Sequence, residues 1–514
     1  MRVLLPGRAA ARVAVLVVAV LTVVAGCGGP GSGAVGGGNS LTILVPADGG
    51  QNYDPQTNAS PSSTQFLMPV FDTLLGTTPD GATTPGLATA WVLSPDGTSL
   101  TLTLRGGVHF HDGSPFDADA VKRNLERGQT TQKSVVAGQL AAITAIDAPN
   151  PSTVVLHLNG GGGALLGFLA GPAGMVASPA SWARSNAATA PIGTGPWQVS
   201  PDSIPGNDMV YTRFAGYWDP TVARVDTIHI RVGAESTFVP GLSGGVAHAV
   251  LLTGSPTDGT TLSTNGLPVR TASTTYLHMF YLNKTGVFAD PRVRRALSLA
   301  VDRQLMCDAL LYGRCVPTAQ PVPPRSWAYD TASAPPAPDA AAARALLAEA
   351  GHPGGIDVPV VVSSAGTQLL TELTALQQMV ADAGIRISIN ARPVAQLLPA
   401  LDGGTAQAYY TVNSGGADPA IPLAQMTAPA YNPGGYRDPA FDAALRAAGA
   451  ALTPADRRAA YRRASAAYQA TDFNVIVLNQ DLQYATARGV TGIGARDPLT
   501  LDVRGAAVPA AAVP

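Results

Sequence analysis

Few residues of this 514-residue chain are arranged for chemistry. Gly241-Leu242-Ser243-Gly244-Gly245 has the spacing of a nucleophile elbow, which sets a serine on a tight strand-to-helix turn above an oxyanion hole. Its context is reversed, because Pro240 interrupts the run before it and Val246–Leu252 after it reads as a strand. His109 and His111 flank Phe110 and would share one face of a strand, a geometry open to a metal ion. No neighbouring Asp, Glu or Cys set completes the ligands, and Asp112-Gly113 signals a turn, so a structural hairpin fits better and no metal or cofactor is expected. Gly160–Gly163 could cradle a phosphate but lacks both Gly-Lys-Ser/Thr and G-x-G-x-x-G spacing. It reads as a loop before a helix carrying Leu165, Leu166 and Leu169. Tyr409 and Tyr410 could line a pocket or serve a core. These residues make no catalytic set, and the chain reads as a binding protein rather than an enzyme.

Composition agrees. With 46% hydrophobic and 13% charged residues the chain can bury a large core and hold more than one domain. Lys+Arg of 32 against Asp+Glu of 34 gives a formal charge of -2 without a block of like charge, which excludes the cationic footprint that nucleic acid demands. The 56 glycines and 43 prolines indicate many loops between elements that still show hydrophobic periodicity.

The N-terminus sets the compartment. Arg2, Arg8 and Arg12 precede an uncharged stretch, Val13–Ala25, of the length of a signal-peptide core and too short for a comfortable membrane span. Val24-Ala25-Gly26-Cys27 resembles the lipobox of bacterial lipoproteins, which implies a signal peptide over 1–26 and a diacylated Cys27. Cleavage there removes three arginines and no acid, so acyl chains rather than charge would hold the protein to lipid. Residues 27–38 are glycine-rich and read as a flexible tether. In an exported protein Cys307 and Cys315, eight residues apart across a helix end, are placed for a disulfide or for two buried thiols.

Strands and helices mix along the rest of the chain. Leu100/Leu102/Leu104, Val154/Leu156/Leu158 and Ile228/Ile230/Val232 alternate as strands. Asp290-Pro291, Asp438-Pro439 and Thr453-Pro454 open helices, since a side-chain oxygen can cap free N–H groups where proline needs none. The first is expected to bury Val293, Leu297, Ala300, Val301 and Leu305. Further helices start at Asp339, ending at Gly351, and near Leu369, ending at Gly384 before Ile385, Ile387 and Ile389. This is an α/β pattern.

Several ordered motifs resemble one family. Val108–Val121 (VHFHDGSPFDADAV), in which Asp117 or Asp119 fits a helix N-cap, is similar to the hallmark segment of the dipeptide/oligopeptide-binding class of ABC-importer solute-binding proteins, extracellular family 5. Pro191–Trp197 (PIGTGPW), Tyr217-Trp218-Asp219, Asp290–Asp302, Ala345–Gly351, Gly435–Asp442 and Thr453–Tyr461 continue the likeness in the same order. It implies a two-lobed periplasmic-binding-protein fold, type II in its large cluster C form, with hinged lobes. Lobe one would take 39–271 plus 484–514, with an extra subdomain over about 61–189, and lobe two 272–483. It further implies a monomer lipid-anchored on the outer face of the cytoplasmic membrane, delivering short peptides or a similar small polar solute to a permease served by ATPase subunits. Metal chelates, glutathione, haem or sugars as ligands, or a non-transporting envelope lipoprotein, are the alternatives.

In peptide binders of the class a lobe-two aspartate, following a tryptophan, pairs with the ligand's ammonium. The likeness places Val412 at the tryptophan and Gly415 at that aspartate, leaving Asp418 to take the role if the loop is shortened or to serve only a turn. The expected ligand contacts are therefore Asn413, Ser414, Gly415, Gly416 and Asp418, with Tyr53 near the first strand and Tyr436 and Trp197 at the cleft rim.

Overall fold

The computed structural model describes residues 39–46, 52–58, 64–160, 162–253, 255, 257–365, 367–413, 416–451, 453–496 and 500–509. The signal peptide, Cys27 and the tether lie outside the described residues, as do Ser414 and Gly415.

Ten strands hydrogen-bond into one continuous path with two differently built halves, and an eleventh, Cys315–Pro317, pairs beside it with Leu478–Gln480. In the first, Ser40–Val45 lies parallel to Thr227–Val232 and to Ala249–Leu252, while Asp208–Arg213 and Trp197–Val199 extend the edge antiparallel. In the second, Ile356–Ser363 lies parallel to both Ile385–Arg392 and Ala408–Asn413. Parallel strands covered on both faces need apolar runs instead of alternation, and Leu41–Val45 is buried throughout. Two long antiparallel strands, Val269–Leu282 and Val475–Thr486, join the halves. Their pairing slips between Ser273 and Tyr276, at the level where the chain leaves one half for the other.

Each half buries its own core, one around Ile43, Trp197, Tyr211 and Ile230, the other around Phe280, Val360, Leu376 and Ile385. A third core belongs to a separate antiparallel sheet, Ala88–Leu93, Ser99–Leu104, Thr153–Leu158 and Ile143–Asn150, covered by the helix Ala118–Thr130. Of the two candidate caps for that helix, Asp117 accepts from the Ala120 N–H. The side chains of Asp339, Asp438 and Thr453 cap their helices likewise.

One expected helix is interrupted. The helix opened by Asp290 ends at Ala300, and a second, Arg303–Leu311, starts where Asp302 accepts the Leu305 N–H. Leu305 is consequently 53% exposed instead of buried, because the break turns the second helix away from the phase of the first. The nucleophile-elbow pattern falls at the end of the short helix Phe238–Ser243 with Ser243 exposed, and the strand follows instead of preceding it. His111 gives its Nε2 to the Gly195 carbonyl at 2.9 Å, a hairpin tie.

Candidate functional site

In open α/β sheets ligands bind outside the carboxyl ends of the strands, where loops leave a crevice. Here the parallel strands of the two halves end toward each other. Leu252 closes its strand opposite Gln483, and Asn413 closes its strand opposite Leu277, so both ends face the crossing segments Ser273–Tyr276 and Gln480–Gln483. A pocket lies there, lined by Leu252, Thr253 and Ser255 from the first half, Leu311, Arg314 and Gln368 from the second, and Gln480–Gln483 of the crossing strand.

Beneath its floor runs a buried polar chain. His278, on the first crossing strand, places Nδ1 2.7 Å from Glu372 Oε2 and Nε2 2.8 Å from Gln480 Oε1. The Tyr410 hydroxyl donates to the same carboxylate oxygen at 2.8 Å, and Gln368 Nε2 donates to Oε1 at 3.0 Å. Both side chains of the His278–Glu372 pair are almost fully buried. Burial opposes charge on each, but the partner's charge and hydrogen bonds win, so the His278 pKa is raised and that of Glu372 lowered. An imidazolium facing a carboxylate results, with both ring nitrogens donating. Gln480 must then turn its oxygen toward His278 and its amide hydrogens elsewhere, while Gln368 keeps its oxygen free of Glu372.

Asp481 follows Gln480. Its Oδ1 is buried without a hydrogen-bond partner in the chain. Burial raises its pKa, against a lowering hydrogen bond from Ser273. Its backbone N–H is held by the Arg314 carbonyl at 3.0 Å.

None of the expected contact residues that are described lines this pocket. Asp418 is 2% exposed, and its oxygens are taken by partners in the chain: Arg457 Nη2 at 3.1 Å from Oδ2 and the Ala420 N–H at 2.9 Å from Oδ1. Its carboxylate lies against Gly167, whose missing side chain admits it, for a Cβ there would stand 2.7 Å from Asp418 Cγ. Trp197, expected at the rim, is wholly buried in the first core and donates Nε1 to the Val225 carbonyl at 3.0 Å. Tyr53 is buried against Phe66. Tyr436 is half-buried, its hydroxyl accepting from Arg294 at 3.1 Å and its ring packing on Phe473. Asn413 is buried and donates Nδ2 to the Tyr281 hydroxyl. Only Gly416 of the loop glycines is described, and it is partly exposed. Tyr409 and Tyr410 sit on one strand, the first stacked near Tyr281 and the second on the buried chain. Cys307 and Cys315 form a disulfide with Cα atoms 5.7 Å apart. Asp481, Gln480, Gln368 and the His278–Glu372 pair escaped sequence reading. The only signal was the polar interruption Asn479-Gln480-Asp481 in the otherwise apolar run Val475–Leu482.

Sequence and structure comparison agree on what this arrangement is similar to. Residues 82–435 match the bacterial extracellular solute-binding proteins, family 5 middle region. The glutathione-binding protein GsiB of Escherichia coli K12 is 30% identical over 331 residues, a stretch spanning 62% of each chain. GsiB of Salmonella typhimurium is 28% identical over 453 residues, covering 83% of this chain and 85% of its own. Among solved structures, NikA from Brucella suis in complex with Fe(III)-EDTA superposes with a TM-score of 0.79 at 22% identity, covering 91% and 99% of the two chains. The periplasmic binding protein DppA from Helicobacter pylori in complex with the peptide STSA gives 0.77 at 22% identity, covering 88% and 95%. At those identities the likeness is one of fold.

Proposed function

The chain belongs to the bacterial extracellular solute-binding proteins, family 5, and from that premise we propose that it is the receptor of an ABC importer for short peptides or a peptide-like solute such as glutathione. The observation that carries this reading is the family match over residues 82–435, and the small pocket at the crossing strands, lined from both halves by acid, guanidinium, amide and hydroxyl groups, is consistent with it. Residues 39–271 with 484–514 act as one lobe and 272–483 as the other. A solute touching both favours the closed form, because only there are all its contacts made. A permease reads that form, and its ATPase subunits supply the energy. The protein itself works as a monomer without catalysis.

Cys27 carries the lipid that keeps the protein at the outer face of the membrane, a reading that rests on the sequence before it. Among the described residues no helix is long and apolar enough to cross a membrane. Replacing Cys27 by serine should move the protein from the membrane fraction into the medium; unchanged fractionation would remove the anchor.

The deciding experiment is mass spectrometry of small molecules released when natively purified protein is denatured, paired with melting curves. Short peptides or glutathione should be released and should raise the melting temperature when added back, since a ligand at a hundred times its Kd stabilises by about 2.7 kcal/mol. Release of one non-peptide species, with melting unmoved by peptides and glutathione, defeats the peptide reading.

A further inference from the structure

We propose that the ligand's primary ammonium group is held by Asp481 on the second crossing strand, not by the loop aspartate Asp418. This assignment rests on the reading of the chain as a receptor for peptide-like solutes and names the group within that site that recognises them.

Three observations converge on it. The Asp418 carboxylate is closed off, shared between Arg457 and the backbone of the helix it starts, with Gly167 pressed against it. Gly415, where the class carries its ammonium-binding acid, has no side chain to offer. Asp481 is the one acid among the residues lining the pocket, and its Oδ1 is buried there with no partner in the chain. Asp481 is half-buried, and burial raises its pKa against the hydrogen bond from Ser273, so a cation that reached the unpartnered oxygen would stabilise the carboxylate.

Two amides line the same pocket as Asp481, and between them they offer a donor and an acceptor to a ligand that reaches along it. Gln480 gives its oxygen to His278, which leaves its N–H2 as a donor. Gln368 gives its N–H2 to Glu372, which leaves its oxygen as an acceptor. An ammonium needs acceptors, which Asp481 and Gln368 supply; the neighbouring carbonyl needs a donor, which Gln480 supplies. The first residue of a peptide has this pattern, and the γ-glutamyl end of glutathione has an ammonium next to a carboxylate, whose oxygens accept as the carbonyl does. The buried imidazolium–carboxylate pair thus positions the two amides without touching ligand.

The test is calorimetric titration of the full folded chain and its Asp481→Asn variant with trialanine, glutathione, their N-acetylated forms, and putrescine as a probe with no carbonyl. Wild type should bind the free amines about 10 to 100 times more tightly than the acetylated forms, the range of a charge-assisted hydrogen bond. D481N should lose that preference while Asp418→Asn retains it. D481N keeps the shape of the side chain and removes an uncompensated charge, so it should fold; Asp481→Ser serves if melting shows otherwise. Free-amine preference that persists in D481N overturns the assignment. If trialanine and glutathione fail to bind wild type, the peptide reading falls alone when putrescine binds and depends on Asp481. Both fall when putrescine binds regardless of Asp481 or not at all.

Discussion

Replacing Asp418 by asparagine separates a structural role from a ligand-binding one. The side chains of Asp418 and Arg457 are 2% and 9% exposed, so their pair is a buried one. Removing one member of such a pair costs about 3–5 kcal/mol, mostly because the survivor's charge is left buried. The lower end applies here for two reasons. Burial already opposes the Asp418 charge strongly enough to raise its pKa despite Arg457, so the anion itself contributes little. Arg457 also keeps the faces of Trp327 and Tyr461, at 5.1 and 5.8 Å, each contact worth about 1 kcal/mol. A loss of about 3 kcal/mol, set against an unfolding entropy on the order of 1 kcal/mol per kelvin for a chain of this size, lowers Tm by about 3 °C. The reciprocal variant, Arg457→Met, strands the carboxylate and raises its pKa further. An acid whose folded pKa lies above its ordinary 3.8 stabilises most when protonated, so R457M should be most stable in acid and lose stability as pH rises through that folded value. Calorimetric melting of D418N, R457M and the double variant from pH 4 to 8, alongside ligand titration, measures all of this. D418N that melts with wild type and binds a free-amine ligand at least ten times more weakly would refute the reasoning.

The His278–Glu372 pair should contribute its full stability between the ordinary values of its members, 4.5 and 6.5. That contribution fades above 6.5 as pH rises through the raised histidine value, and below 4.5 as pH falls through the lowered glutamate value. Urea unfolding of wild type against the H278Q/E372Q double variant, followed from well below pH 4.5 to well above 6.5, reads the difference, and a difference that stays flat across both limits contradicts it. Gly167→Ala pushes a methyl onto Asp418 Cγ at 2.7 Å and should cost about 1–3 kcal/mol by overpacking, seen as a lower urea midpoint; an unchanged midpoint would mean the contact yields freely. Joint replacement of Cys307 and Cys315 by serine opens a loop closed over eight positions and should cost about 2–3 kcal/mol on the chain-entropy account, checked by the same unfolding.

Local order was legible in the sequence because its causes are local. Asp290-Pro291, Asp438-Pro439 and Thr453-Pro454 each hold a cap oxygen and a residue without N–H, and each begins a helix. The alternating leucines at 100, 102 and 104 lie in a strand with those three side chains buried. The order of motifs between Val108 and Tyr461 carried the family likeness, and with it the two-lobed fold. The break at Val301 was missed because the apolar spacing runs across it, and only the Asp302 side chain, turned to Leu305, starts the next helix.

The binding groups were not legible, since their meaning depends on what surrounds them. Asp418 reads from sequence as either a ligand-binding acid or a turn residue, and only folding brings Arg457 from 39 residues away and the bare backbone of Gly167 against it. Trp197 and Tyr53 carry aromatic rings suited to a rim, yet packing drew them into the core, where apolar area leaves water. Asp481 reads as one polar residue in a strand. The crossing of Val269–Leu282 and Val475–Thr486 sets it where two halves meet, with a partnerless oxygen and glutamines oriented by a pair drawn from distant segments. Sequence determined the elements and the fold, because periodicity, caps and motif order act over a few residues. Tertiary structure decided which carboxylate is spent within the protein and which is left for a ligand, because charge and burial are settled by neighbours that the chain brings together only on folding.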